Sequence, residues 1–178
     1  MKWAAMLRGI NLGKRQLKKH DLIAAAEAAR FSEARTLLAS GNLVFEAGDA
    51  KPEAIERALH EAVEKLSGIK SEAFVRNRAE LEKLIAANPF PDVARDRPSQ
   101  LLVLFHKDAF PSGLLPAIAS GYDGPERLEA IGRELFIDFP EGQGRSELWP
   151  AISKRRIKLP HGTGRNWNTV TKLAEMLA

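Results

Sequence analysis

Two rhythms of apolar spacing alternate along this chain, and each change of rhythm marks an element. Lys2–Arg8 (KWAAMLR) is a short apolar run with charged ends and predicts a first strand. Residues 9–16 (GINLGKRQ) predict a loop. Over residues 18–30, Leu22, Ile23, Ala26 and Ala29 recur at helical spacing. Residues 34–40 and 43–47 read as two strands joined by a two-residue turn at Gly41-Asn42, because both residues tolerate positive φ. The strongest helical signal covers residues 52–66. Pro52 suits a first helical turn, and Ile55, Leu59, Ala62, Val63 and Leu66 fall on one stripe. Gly68 closes it, and residues 70–76 predict a fourth strand.

A connecting helix over residues 78–87 and a Pro-rich linker over 88–99 (NPFPDVARDRPS) separate this half from the next. A strand at 101–106, a helix at 114–120 and a turn at 121–125 follow. Strands at 127–131 and 135–139 form a hairpin around Gly132-Arg133, and a helix covers 146–154. The first half reads βαββαβ and the second βαββα. An amphipathic helix at 168–178, carrying Val170, Leu173 and Leu177, ends the chain. The fold class expected is α+β: two ferredoxin-like α/β plait subdomains with antiparallel sheets, plus a C-terminal helix. The expected boundaries are 1–77 and 100–160 for the subdomains, 78–99 for the connection, and 161–178 for the closing motif and helix.

Composition narrows the chemistry. A chain of 178 residues buries roughly 70% of its unfolded surface and folds without staples. The absence of cysteine excludes disulfides, thiolate nucleophiles, thiolate zinc sites and iron–sulfur clusters, and suits a reducing compartment. The apolar start is cut off at Arg8, too early for a secretory core, and no run is long enough to span a bilayer. A cytoplasmic protein without membrane contact is expected. The net charge of +4 is unevenly spread, at +4 over residues 1–46, −1 over 47–95, −4 over 96–152 and +5 over 153–178. Basic ends point to an anionic partner, or to a solvated face.

Three stretches carry a family resemblance: Leu7-Arg8-Gly9-Ile10-Asn11-Leu12-Gly13; Thr36 with Ser40-Gly41-Asn42-Leu43-Val44-Phe45; and Thr163-Gly164-Arg165-Asn166-Trp167-Asn168-Thr169. In this order they resemble the bacterial family catalogued as domain of unknown function 1697, essentially end to end. The resemblance implies an α/β plait with two related subdomains and brings no established reaction, cofactor or catalytic residue. Two departures stand out: Lys14 where a second glycine is expected after Gly13, and Leu37-Leu38-Ala39 where relatives carry a more polar, aromatic run.

Gly9-x-x-x-Gly13-Lys14-Arg15 invites comparison with a phosphate-binding P-loop. It has three residues between the glycines instead of four, and Arg15 replaces the Ser/Thr that holds Mg²⁺. What survives is an anion cradle of loop amides with Arg8, Lys14 and Arg15 as cations, or simply a turn. In the closing motif, Thr163, Asn166 and Asn168 are good N-caps. Arg165 and Trp167 either stack on a flat ligand or pin the last helix. Gly142-x-Gly144 lacks the third glycine of a dinucleotide loop and reads as a turn. His20, His60, His106 and His161 form no metal-ligand spacing, and Ser40 lacks a nucleophile-elbow context. No catalytic residue and no metal ligand emerge.

The expected ligand-binding residues are therefore Arg8, Gly9, Asn11, Gly13, Lys14, Ser40, Asn42, Arg165, Asn166 and Trp167. They suit a non-catalytic binder of a phosphorylated or nucleotide-like anion, with the two basic loops converging. One alternative is an enzyme acting on a phosphorylated or acidic metabolite, its charge held by Arg8 and Arg165. Another is a structural or interaction protein. A small anion is expected ahead of nucleic acid, since an RNA-binding plait needs exposed aromatics on its sheet and only Trp3 and Phe45 are placed to serve. No cofactor is identified.

Overall fold

The computed structural model describes residues 1–12, 15–37 and 41–178. The chain divides into two compact units, one of residues 1–85 with 171–178, the other of residues 86–170.

In the first unit, β1 (Lys2–Arg8), α1 (Lys19–Ala28), β4 (Ser32–Leu37), β5 (Asn42–Glu46), α2 (Pro52–Ser67) and β6 (Glu72–Asn77) follow the expected βαββαβ order. The loop after β1 contains a further two-residue ladder, β2 (Asn11–Leu12) against β3 (Arg15–Gln16). The main sheet runs β4-β5-β1-β6 and is antiparallel throughout. Counting its four strands along the chain, the spatial order is second, third, first, fourth, which is the ferredoxin-like arrangement.

The pleat explains why β1 reads as an unbroken apolar run. Trp3, Ala5 and Leu7 join Leu43, Phe45, Ala73 and Val75 beneath α1 and α2. Ala4, Met6, Val44 and Phe74, on the opposite face, are buried as well. A strand buried on both faces loses its polar alternation. The helix α2 is held as its sequence implies, except that Leu66, expected on the apolar stripe, is exposed at the helix end. Pro52 opens it, Gly68 takes the left-handed conformation at φ 71° to close it, and Ile55, Leu59, Ala62 and Val63 are buried. Each large apolar side chain so buried stabilises the unit by about 1.5–3 kcal/mol. Glu56 then accepts the Val75 N–H at 3.1 Å and ties the helix to the edge strand.

One turn differs from expectation. The pairs Thr36–Leu43 and Leu37–Asn42 are in register, so Asn42 is already in the strand. The two-residue Gly41-Asn42 turn is therefore corrected. Residues 38–40, like Gly13 and Lys14, lie outside the described residues.

The second unit repeats the plan with β7 (Leu101–His106), α5 (Leu114–Ala119), β8 (Arg127–Ile131), β9 (Glu134–Asp138), α6 (Leu148–Lys154) and β10 (Gly162–Asn166). Its sheet order is β10-β7-β9-β8, again fourth, first, third, second. Leu102, Leu135 and Ile137 pack with Ile118 of α5 and with Leu148 and Ile152 of α6. The hairpin at Gly132-Arg133 forms as expected, with Gly132 at φ 61°.

Two expectations for this half change. Residues 162–166, read as the entry to the last helix, are the fourth strand, and α7 (Trp167–Met176) starts directly after them. Two glycines in five residues hide the strand signal. The Pro-rich linker is not irregular, for it holds α4 (Pro91–Asp96) and a 3₁₀ turn at Pro98–Gln100, each opened by its proline. Before it, α3 (Arg78–Ala86) starts from a reciprocal cap in which Asn77 N–H donates to Glu80 and Glu80 N–H donates to Asn77. No described helix is long and apolar enough to cross a membrane.

Candidate functional site

Where β1 ends, two of the sequence motifs meet. Arg8 is the last residue of β1, and Gly9 turns the chain at φ 79°. Ile10 dives back into the core at 3% exposure, and the β2–β3 ladder projects from it, with Leu17 N–H returning to the Ile10 carbonyl at 3.4 Å. Beside this arm, β5 begins at Asn42, opposite Met6 of β1.

Gly41 welds the two segments together. It lies at φ 77°, and its carbonyl accepts the Leu7 N–H at 2.8 Å. A Cβ there would stand 2.6 Å from Ile10 Cδ1 and 3.2 Å from the Leu7 carbonyl oxygen. Glycine is required twice over, by conformation and by space. Of the expected site residues, Arg8, Gly9, Asn11 and Asn42 are thus gathered at one end of the first sheet. Gly13, Lys14 and Ser40 belong to the same two segments but lie outside the described residues.

The polar groups at this end differ in how far they are committed. Asn42 is fully buried and its amide donates to the Leu37 carbonyl at 3.0 Å, closing the β4–β5 connection. Arg8 is exposed, faces Glu72 across the β1–β6 ladder, and has no side-chain partner among the described residues. Lys70 brings its carbonyl close under Gly9, 3.5 Å from where a Cβ would stand.

The closing motif belongs to the second unit, and most of its residues have a structural task there. Arg165 is 8% exposed and its Nη1 donates to Thr163 Oγ1 at 2.7 Å and to the Gly164 carbonyl at 2.8 Å. Burial pulls its pKa down to about 10, still far above neutrality. Gly164 lies against Leu102 and Leu104, where a Cβ would approach to 3.0 and 3.1 Å, and a Cβ on Gly162 would come within 2.8 Å of the His106 ring. Packing accounts for both glycines. Asn166 Oδ1 accepts the Thr169 N–H at 3.1 Å and caps α7. Trp167 is buried, its ring 6.4 Å from that of Phe136. Trp3 and Phe45 are also buried, under the helices of the first unit, with Phe45 stacked on Phe31 at 4.7 Å.

Sequence reasoning missed the main charge cluster of the second unit. Asp138, ending β9 with a side chain 2% exposed, takes two hydrogen bonds from Arg97 at 2.9 and 3.2 Å and one from Arg127 at 3.1 Å. Arg127 also reaches Asp92 at 2.9 Å and lies over the Phe90 ring at 4.7 Å. The hydrogen bond from Arg127 holds the Asp92 carboxyl below its ordinary range. An acidic residue closing a strand whose centre, Leu135–Ile137, is apolar was the available signal. Among the described residues, no group of three His, Cys, Asp or Glu side chains could hold a metal ion.

Comparison with known proteins adds a family and a fold. The family described as "Protein of unknown function (DUF1697)" matches residues 1–136. A solved structure of a conserved bacterial protein, SP0830 from Streptococcus pneumoniae, is similar over 99% of this chain and 97% of its own, with a TM-score of 0.74 at 20% identity. No curated protein matches the chain.

Proposed function

We propose, from the premise that the chain belongs to the DUF1697 family of proteins of unknown function, that it binds a small phosphorylated or nucleotide-like anion without transforming it, at the end of the first sheet. The observation that carries this reading is the seating of Gly41 against Ile10 and Leu7. It sets two glycine-bearing segments side by side next to Arg8, an exposed guanidinium with no side-chain partner among the described residues. Loop amides near a guanidinium suit a phosphoryl group, which takes charge-assisted hydrogen bonds from both. A small anion is favoured over a stacked RNA because Trp3 and Phe45 are enclosed beneath helices. The cysteine-free chain supports a cytoplasmic setting.

Calorimetric titration with pyrophosphate and with ADP tests the reading, alongside an Arg8→Ala variant. Saturable binding that weakens with added salt and falls about ten- to a hundredfold in the variant is expected, the range of one charge-assisted hydrogen bond. Unchanged binding by Arg8→Ala, or no saturation with either anion, would remove the site.

A further inference from the structure

The second unit holds a cavity of ≈ 340 Å³ that no sequence motif announced. Its walls are Leu115, Pro116 and Ile118 of α5 and Leu128 of β8, and its polar end is formed by Tyr122 and Glu126. That volume lies at the small end of the ~300–1,000 Å³ typical of ligand pockets, which combine apolar walls with a few placed polar groups.

The polar end is built, not incidental. The Tyr122 hydroxyl donates to Glu126 Oε2 at 2.6 Å, and the Ser146 hydroxyl donates to Glu126 Oε1. Ser146 Oγ in turn accepts the Leu148 N–H at 3.1 Å at the start of α6. Burial opposes ionisation of Glu126, but the two hydroxyls outweigh it and its pKa is lowered overall. The α5 wall is also fixed. Arg155, at the end of α6, donates to the Ile118 carbonyl at 3.0 Å and to the Ala117 carbonyl at 2.8 Å. Arg155 is spent on that clamp, and Arg127 is spent on Asp138 and Asp92. Neither arginine lines the cavity, and the charged side chain that does is Glu126, a carboxylate with lone pairs to spare at one end of an apolar groove.

We infer that this cavity is a binding site for a small organic amine, its apolar body lying between α5 and β8 and its ammonium group hydrogen-bonded to Glu126. Charge complementarity selects the amine: a carboxylate guest would face Glu126, and a purely apolar one would leave it without a charged partner. The Tyr122 ring beside the carboxylate adds a second surface attractive to a cation. The site is independent of the anion site of the first unit.

Tyr122 is the single tyrosine of the chain, so ring resonances from tyrosine-labelled protein report on this cavity alone. Titration with 2-phenylethylamine is expected to give a saturable shift, and 3-phenylpropionate none. Glu126→Gln should weaken amine binding at least tenfold. Ala119→Phe, which fills the groove from an exposed position on α5 and leaves the Tyr122–Glu126–Ser146 contacts intact, should abolish it, while Arg8→Ala should change nothing. Equal shifts from amine and acid, no saturation with the amine, or full binding by Ala119→Phe would each overturn the proposal. So would a response confined to a peptide carrying leucine and lysine, which would mark a protein-docking groove.

Discussion

The two plaits share one strand order, yet Arg8 in the first and four arginines of the second are used in opposite ways, while Arg76 of the first is itself buried and donates to the Val75 carbonyl. In the first unit Arg8 stands exposed at a sheet end, next to glycine segments whose backbones are already locked together. In the second, Arg97 and Arg127 neutralise Asp138, Arg155 caps α5, and Arg165 is folded onto Thr163 and Gly164. One topology therefore accommodates both an available cation, at the end of β1, and arginines that serve as internal scaffolding. A glycine–arginine motif says little by itself. What decides is whether the guanidinium has been consumed by the fold.

The largest effect that can break this contrast is on stability. Asp138→Ala would leave two arginines facing a vacated, nearly dry position. Losing one side of a buried ion pair costs about 3–5 kcal/mol, but Arg97 and Arg127 are 34% and 48% exposed and can turn to water, so about 3 kcal/mol is expected. Arg8→Ala should stay within about 0.5 kcal/mol of wild type, as an uncommitted surface residue does. Urea denaturation of both variants checks the pair. Comparable losses would mean that Arg8 is as structural as the arginines of the second unit.

A smaller effect probes the weld between the loops. Gly41→Ala should cost about 2–3 kcal/mol, from a left-handed backbone and from the approach to Ile10. Removing the Ile10 Cδ1 with Ile10→Val costs about 1 kcal/mol alone and should restore about 1 kcal/mol in the double variant. Strict additivity in that cycle would show that the two segments do not press on each other, and with it would go the geometry on which the anion site rests.

The sequence made most of the architecture legible because the first unit is written in long, regular signals. The stripe on α2 and the apolar run of β1 are unmistakable, and the first unit's ferredoxin-like arrangement follows from its βαββαβ pattern. β10 was lost because Gly162 and Gly164 carry no side chains to show a period, although that lack is what lets the strand lie flat on Leu102, Leu104 and His106. With the strand hidden, Arg165 and Trp167 looked like the residues of a ligand loop. Candidate chemistry was less legible than fold for a physical reason: Tyr122, Glu126 and Ser146 converge from a loop, a strand entrance and a helix start, and no spacing rule links them. Asp138 and its arginines converge over 41 residues in the same way.

The smallest effect shows only at alkaline pH and concerns the second unit's cavity. Burial first, and the adjacent Glu126 carboxylate second, push the Tyr122 phenol up to about 12. The folded protein then keeps this proton while the unfolded chain releases it near the ordinary value of 10. The contribution to stability is complete below pH 10 and disappears as pH rises through 12, a window that the difference between wild type and Tyr122→Phe isolates. With one tyrosine in the chain, the phenolate absorbance step belongs wholly to this residue and should centre near 12. Glu126→Gln should bring it part of the way back, because the negative charge goes and the burial stays. A full return to 10 would show that the carboxylate alone sets the shift, and that the cavity wall around the ring is wetter than its apolar lining implies.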